Sequence, residues 1–257
     1  MDRWALVTGA SSGIGYAIAD CLAAKGLNLM LVSRTRSKLD AAAASLEEAH
    51  RGTIVESVVM DLSKQGAAQK LFALTSERGI VPDVLVNNAG MFLYEEVVDT
   101  PVEKLEDMVM LHNLTVTVMC RLYGGAMAGK GRGCIINLSS YSVFMPYPGL
   151  AAYSATKEYV RAFSKALRKE LRPKGVTLTV AAPAGVDTDL MGLPEGIRSL
   201  AGRTGFLMKP ETAAKRIVRA ASRGRRFIVP GIYNYLWVPF LPLFSHVSSL
   251  VLNRRSK

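Results

Sequence analysis

The sequence predicts an α/β fold, a doubly wound parallel sheet with helices on both faces, and three observations predict it. Short apolar runs alternate with longer amphipathic stretches, the order of a β-α-β chain rather than of separate helical and all-β units. Two of the runs, Leu29-Met30-Leu31-Val32 and Val84-Leu85-Val86, are apolar at every position, which suits strands covered on both faces. Gly9, Gly13 and Gly15 stand between the first apolar run and the first helical stretch, where the backbone must turn sharply.

Taken in order, residues 4–8 open the sheet through the apolar run Trp4-Ala5-Leu6-Val7. The further apolar runs at 27–33, 54–60, 83–87, 133–139 and 175–182 supply the next strands, and 226–229 a short last one. Between them, 13–25, 36–49, 64–78, 104–128, 151–171 and 210–222 carry helical patterning. The expected strand order is 3-2-1-4-5-6-7.

The 257 residues suffice for one sizeable core, and no long polar linker divides them, so residues 1–257 are expected to form one folded unit. That unit includes a loop region at 190–209 and a hydrophobic and basic extension at 230–257. Apolar residues make up 49% of the chain, which argues against disorder. Cys21, Cys120 and Cys134 are widely spaced with no metal-ligand pattern, and read as small buried side chains or unpaired thiols. Because the chain enters a core strand at Trp4 instead of a long signal-type apolar region, a cytoplasmic body is expected. The net charge of +11 is spread along the body and concentrated near Arg219–Arg226 and Arg254–Lys257. Such a bias attracts phosphates, acidic membranes or nucleic acid without selecting among them, and nothing favours nucleic acid in particular.

The glycine-rich turn Thr8-Gly9-Ala10-Ser11-Ser12-Gly13-Ile14-Gly15 lets the backbone approach a pyrophosphate, while the following helix offers free N–H groups and the positive end of its dipole. Alone, it also fits an ordinary strand-to-helix turn. Tyr153 and Lys157 are four residues apart on a helix, so they share a face. A nearby ammonium favours phenolate character in the tyrosine. Ser140 follows a buried strand, where its hydroxyl can hold a reacting oxygen. The alternative is a solvent-facing Tyr/Lys pair and a serine that ends a strand.

Together with Asn87-Asn88-Ala89-Gly90, Asn113, Tyr153-Ser154-Ala155-Thr156-Lys157 and the segment Pro183 to Thr188, these motifs make nearly the whole body resemble the short-chain dehydrogenase/reductase family. The resemblance implies a Rossmann-like nucleotide-binding fold, usually in a homo-oligomer. Its cofactor would lie across the carboxyl ends of the strands. In this reading Tyr153 exchanges the proton with the reacting oxygen, Ser140 hydrogen-bonds that oxygen, and Lys157 also contacts the ribose, with no metal needed. Asn113 is assigned to a helix distortion and a water-mediated proton relay with Lys157. Gly9, Ser11, Ser12, Gly13, Ile14 and Gly15 would cradle the phosphates. Asp61 and Leu62 would meet adenine, Asn88, Ala89 and Gly90 the ribose region, and Val186 and Thr188 the carboxamide or diphosphate. Asn87 and Asn88 are read as bridges to strand backbones or to the nucleotide.

Ser33-Arg34 occupies the place where NAD-preferring members present an acidic residue. Arg34 favours NADP(H), since a guanidinium neutralises a 2′-phosphate that a carboxylate would repel. Ala184 stands where the family has glycine, placing a methyl group near a close backbone approach. Residues 190–209 have the composition of a substrate cover, and Phe144, Met145, Tyr147 and Leu150 point to an apolar pocket for a hydrophobic ketone or alcohol. The extension, with its aromatic residues and basic end, fits burial between subunits or peripheral attachment to an anionic membrane. Two functions remain: reduction of a hydrophobic ketone to a secondary alcohol, with the reverse oxidation, and an NADPH-sensing adapter that recruits a protein partner.

Overall fold

The structure, a computed structural model, describes residues 3–144, 147–188 and 207–231. Met145, residues 190–206 of the expected cover and residues 232–257 of the extension therefore lie outside the described residues. The described strands are β1 (Trp4–Thr8), β2 (Asn28–Ser33), β3 (Val55–Val59), β4 (Val84–Asn87), β5 (Gly133–Leu138), β6 (Val176–Ala181) and β7 (Phe227–Ile228). They form one parallel sheet of order β3-β2-β1-β4-β5-β6-β7. The order and the parallel pairing are those expected from the sequence.

The helices are α1 (Gly13–Ala23), α2 (Arg36–Ala49), α3 (Ala67–Glu77), α4 (Val102–Val109), α5 (Thr115–Gly129), α6 (Ala151–Leu171) and α7 (Pro210–Ser222). Strand side chains alternate between the two faces, which is why the continuous apolar runs are needed. Ala5, Val7, Leu29, Leu31, Val84 and Val86 face α1, α2 and α7, packing with Ile18, Leu39, Leu46 and Ile217. Leu6, Met30, Val32 and Leu85 face the other way, against Leu71 of α3 and Met119, Tyr123 and Met127 of α5. Cys120 is buried in this second layer, and all three cysteines are free.

Two helices differ from the sequence reading. The stretch 64–78 becomes helical only at Ala67, because Gly66 takes φ 77° and Asp61 first holds a turn by accepting the Ser63 N–H at 3.0 Å. The stretch 104–128 is not a uniform α-helix. Between α4 and α5 lies a π-helical turn, Met110–Leu114, in which the Thr115 N–H reaches back to the Met110 carbonyl. Asn113 lies inside that turn.

Candidate active site

The loops at the carboxyl ends of β1, β2, β3, β4, β5 and β6 enclose a cavity of about 510 Å³. Its nucleotide end begins where β1 runs into α1. The Thr8 hydroxyl donates to the Val86 carbonyl and accepts the Asn88 and Ala89 N–H groups, while Asn88 Nδ2 donates to the carbonyls of Thr8 and Gly9 at 2.9 and 3.1 Å. These bonds lock the glycine turn to the end of β4. A Cβ on Gly15 would collide with the Gly9 carbonyl and Asn88 Nδ2, so Gly15 is fixed by the packing of the turn itself. Gly13 has φ 58°, and a Cβ there would crowd the Thr188 methyl at 3.0 Å.

Helix α1 starts at Gly13 with no acid in its first turn and no side chain capping it, leaving its positive end directed at the cavity. Ser11, Ser12, Ile14, Arg34, Asp61, Leu62, Ala89, Gly90 and Val186 line the same cavity. Arg34 is exposed. Ser11 and Ser33 share a hydrogen bond of 2.9 Å. Asn87 stays away from the cavity: its amide donates to Asn137 Oδ1 at 2.8 Å, and Asn137 passes the chain on to the Ser164 hydroxyl. Of the two asparagines, Asn88 is the one that bridges to a strand backbone.

Ser140, Tyr153 and Lys157 meet at the other end of the cavity. The buried Tyr153 phenol is pushed above its ordinary pKa by desolvation, opposed by a hydrogen bond with Ser140. The Ser140 oxygen accepts the Ser142 N–H at 3.1 Å, which fixes its position. Lys157 is buried, donates from Nζ to the Leu138 carbonyl at 3.3 Å, and lies 5.8 Å from the centre of the Tyr153 ring. Burial lowers its pKa from 10.5 to about 8. Burial thus acts on both groups, raising the tyrosine and lowering the lysine. Asn113 does not reach the cavity wall. Its amide donates to the Thr156 carbonyl at 3.2 Å, one residue from Lys157.

The apolar wall differs from the sequence expectation. Leu150 lines the cavity and Tyr147 packs behind it with Met108 and Tyr153, but Phe144 turns away to pack against Tyr141 and Phe227. Met91 and Phe92 take its place, with the Phe92 ring 5.0 Å from that of Tyr153 in an edge-on arrangement. Their signal in the sequence was their position directly after Asn88-Ala89-Gly90. Ala184 packs beside Tyr141, Ala182 and Val229, and no non-glycine residue described has a positive φ, so its methyl group fits without backbone strain. Residues 207–209, included in the expected cover, belong to the framework: Met208 bridges Val186, and Lys209 precedes α7.

Residues 3–194 match the short chain dehydrogenase family. The chain belongs to the short-chain dehydrogenase/reductase family. Among its relatives, the very-long-chain 3-oxoacyl-CoA reductase of Pyrenophora tritici-repentis is 36% identical over 67% of this chain and 52% of its own. Human 17-beta-hydroxysteroid dehydrogenase type 3 is 35% identical over 73% of this chain and 60% of its own. The chain thus spans only about half to three-fifths of the length of these curated relatives. A solved short-chain dehydrogenase from Sphingobium yanoikuyae in complex with NADPH is 28% identical, covers 95% of both chains and superposes with a TM-score of 0.80.

Proposed function

We propose that this short-chain dehydrogenase/reductase uses NADPH to reduce a hydrophobic ketone to a secondary alcohol, the same residues serving the reverse oxidation. The observation that carries this reading is the meeting of Ser140, Tyr153 and Lys157 at one end of a cavity whose other end is the glycine turn and Arg34. The residues suit the nucleotide: Gly13 holds a left-handed backbone at the cavity wall that a side chain would strain, the α1 terminus is free of competing acid, and Arg34 offers a cation to a 2′-phosphate. The NADPH carried by the structural relative supports the same choice.

The nucleotide these residues would hold would supply the hydride for the carbonyl carbon. The Ser140 hydroxyl holds the carbonyl oxygen, and Tyr153 donates its phenolic proton to that oxygen. Lys157 lends its ammonium to the resulting phenolate and to the ribose. Asn113 supports the return of the proton through water and Lys157 by holding the π turn against α6. Met91, Phe92 and Leu150 favour an apolar ketone and keep water from the reacting carbon. Relatives named for oxoacyl and steroid substrates point to the same class. Homo-oligomer formation fits this reading, since Val102, Val109, Leu114 and Tyr159 expose apolar surface on α4, the π turn and α6.

Measuring NADPH and NADH binding to one preparation tests the cofactor choice. The wild type should prefer NADPH, and Arg34→Asp should lose or invert that preference through like-charge repulsion. A wild-type preference for NADH, or unchanged discrimination in Arg34→Asp, would refute it.

A further inference from the structure

We propose that His112 is a positioning residue that fixes the catalytic turn of α6 against the loop carrying the apolar wall; the proposal rests on the reductase reading above. His112 is buried beside Asn113 in the π turn, 1% exposed, and no motif singled it out. Three hydrogen bonds define its state. Its Nε2 accepts the Met91 N–H at 3.1 Å, so the proton of the neutral ring sits on Nδ1. Nδ1–H then donates to the Thr156 hydroxyl at 2.9 Å, and that hydroxyl donates to the Tyr153 carbonyl at 2.8 Å.

His112 and Asn113 therefore grip one residue of α6 from two sides. Nδ1–H of His112 holds the Thr156 hydroxyl, and the Asn113 amide holds its carbonyl. Thr156 lies between Tyr153 and Lys157, whose relative placement sets the proton transfer. On its far edge the imidazole holds Met91, which together with Phe92 walls the substrate end of the cavity. A Cβ on Gly90 would lie 3.1 Å from His112 Nε2 and 3.5 Å from Lys157 Nζ, so the bare glycine lets the ring and the ammonium both approach the same turn. Desolvation and the Lys157 charge both favour the neutral imidazole, which keeps a second cation away from Lys157.

Nitrogen-15 spectra of the imidazoles test the hydrogen-bond chain without reference to activity. The chain has three histidines, and the His112 signals are those lost in His112→Val. A protonated Nδ1 and bare Nε2 at both pH 7 and pH 6 are expected; an Nε2–H tautomer, or titration near the ordinary histidine pKa, overturns the proposal. In ketone reduction, His112→Val and Thr156→Val should each lower kcat about tenfold or more, the scale of a displaced catalytic group. NADPH affinity should stay within about threefold, since neither residue binds the nucleotide. The double variant should be no worse than the poorer single one, because both cut the same link. Thr156→Ser, which keeps the hydroxyl, should recover the loss seen in Thr156→Val. Turnover within twofold of wild type in folded Thr156→Val, or additive losses in the double variant, overturns the role. If His112→Val does not fold, His112→Asn identifies the signals and Thr156→Val, with its rescue by Thr156→Ser, carries the kinetic test. A wild type without ketone turnover would count against the reductase reading, while the tautomer would still decide the hydrogen-bond chain.

Discussion

At the scale of single residues, Lys157 links chemistry to stability. Its ammonium has a folded-state pKa of about 8 against an ordinary 10.5, so protonation opposes folding. Between these values the unfolded chain binds more protons than the folded one, and stability rises with pH through that window. Below pH 8 the penalty is fully present, amounting to roughly 3 kcal/mol at most. Lys157→Met should therefore make the apo protein more resistant to urea at pH 7 while removing turnover, and the stability gap should shrink toward pH 10. Equal or lower stability of the variant at pH 7 would show that neighbouring groups compensate the buried charge. The sequence made Ser140, Tyr153 and Lys157 legible because their spacing carries chemistry. It left Met91, Phe92 and His112 hidden, since apolar residues after a turn and a lone histidine in an apolar helix look like core. Asn137 was hidden for a similar reason: only the β4–β5 register, which sets Asn87 opposite Asn137, explains two buried amides in apolar strands.

At the scale of elements, the β1–α1 turn and the helix that follows β4 show how far periodicity carries. The parallel sheet was legible because fully apolar runs need cover on both faces, and its strand order because a doubly wound nucleotide-binding fold carries one. The π turn was not legible from periodicity, because inserting one residue into a helix leaves composition unchanged and alters only the phase of the buried stripe; the distortion at Asn113 was expected from the family resemblance alone. Two glycine substitutions should have opposite signs. Gly15→Ala forces a methyl group into the Gly9 carbonyl and the Asn88 amide, and should cost about 1–3 kcal/mol as overpacking does. Gly125→Ala, on the exposed face of α5, meets only the flexible end of Arg121 and should gain about 0.5–1 kcal/mol by restricting the unfolded chain. Thermal unfolding of the two variants checks both; a stabilised Gly15→Ala would mean that the turn relaxes without the Asn88 bridge.

At the scale of the whole molecule, the two layers of core hold one sheet whose carboxyl edge brings the glycine turn, Arg34, Ser140, Tyr153 and Lys157 around a common cavity. In the proposed function that arrangement separates the tasks: nucleotide binding at the β1–α1 end, proton transfer at α6, and selection of an apolar ketone by the loops between them. Among the described residues no helix is long and apolar enough to cross a membrane. The most direct test is NADPH oxidation by wild type and Tyr153→Phe across ketones matched in size, from hydrophobic ones to charged sugars. Higher kcat/KM for the hydrophobic ketones is predicted, with turnover lost and NADPH affinity retained in Tyr153→Phe. Higher efficiency with charged sugars, or wild-type turnover in Tyr153→Phe, would contradict the account.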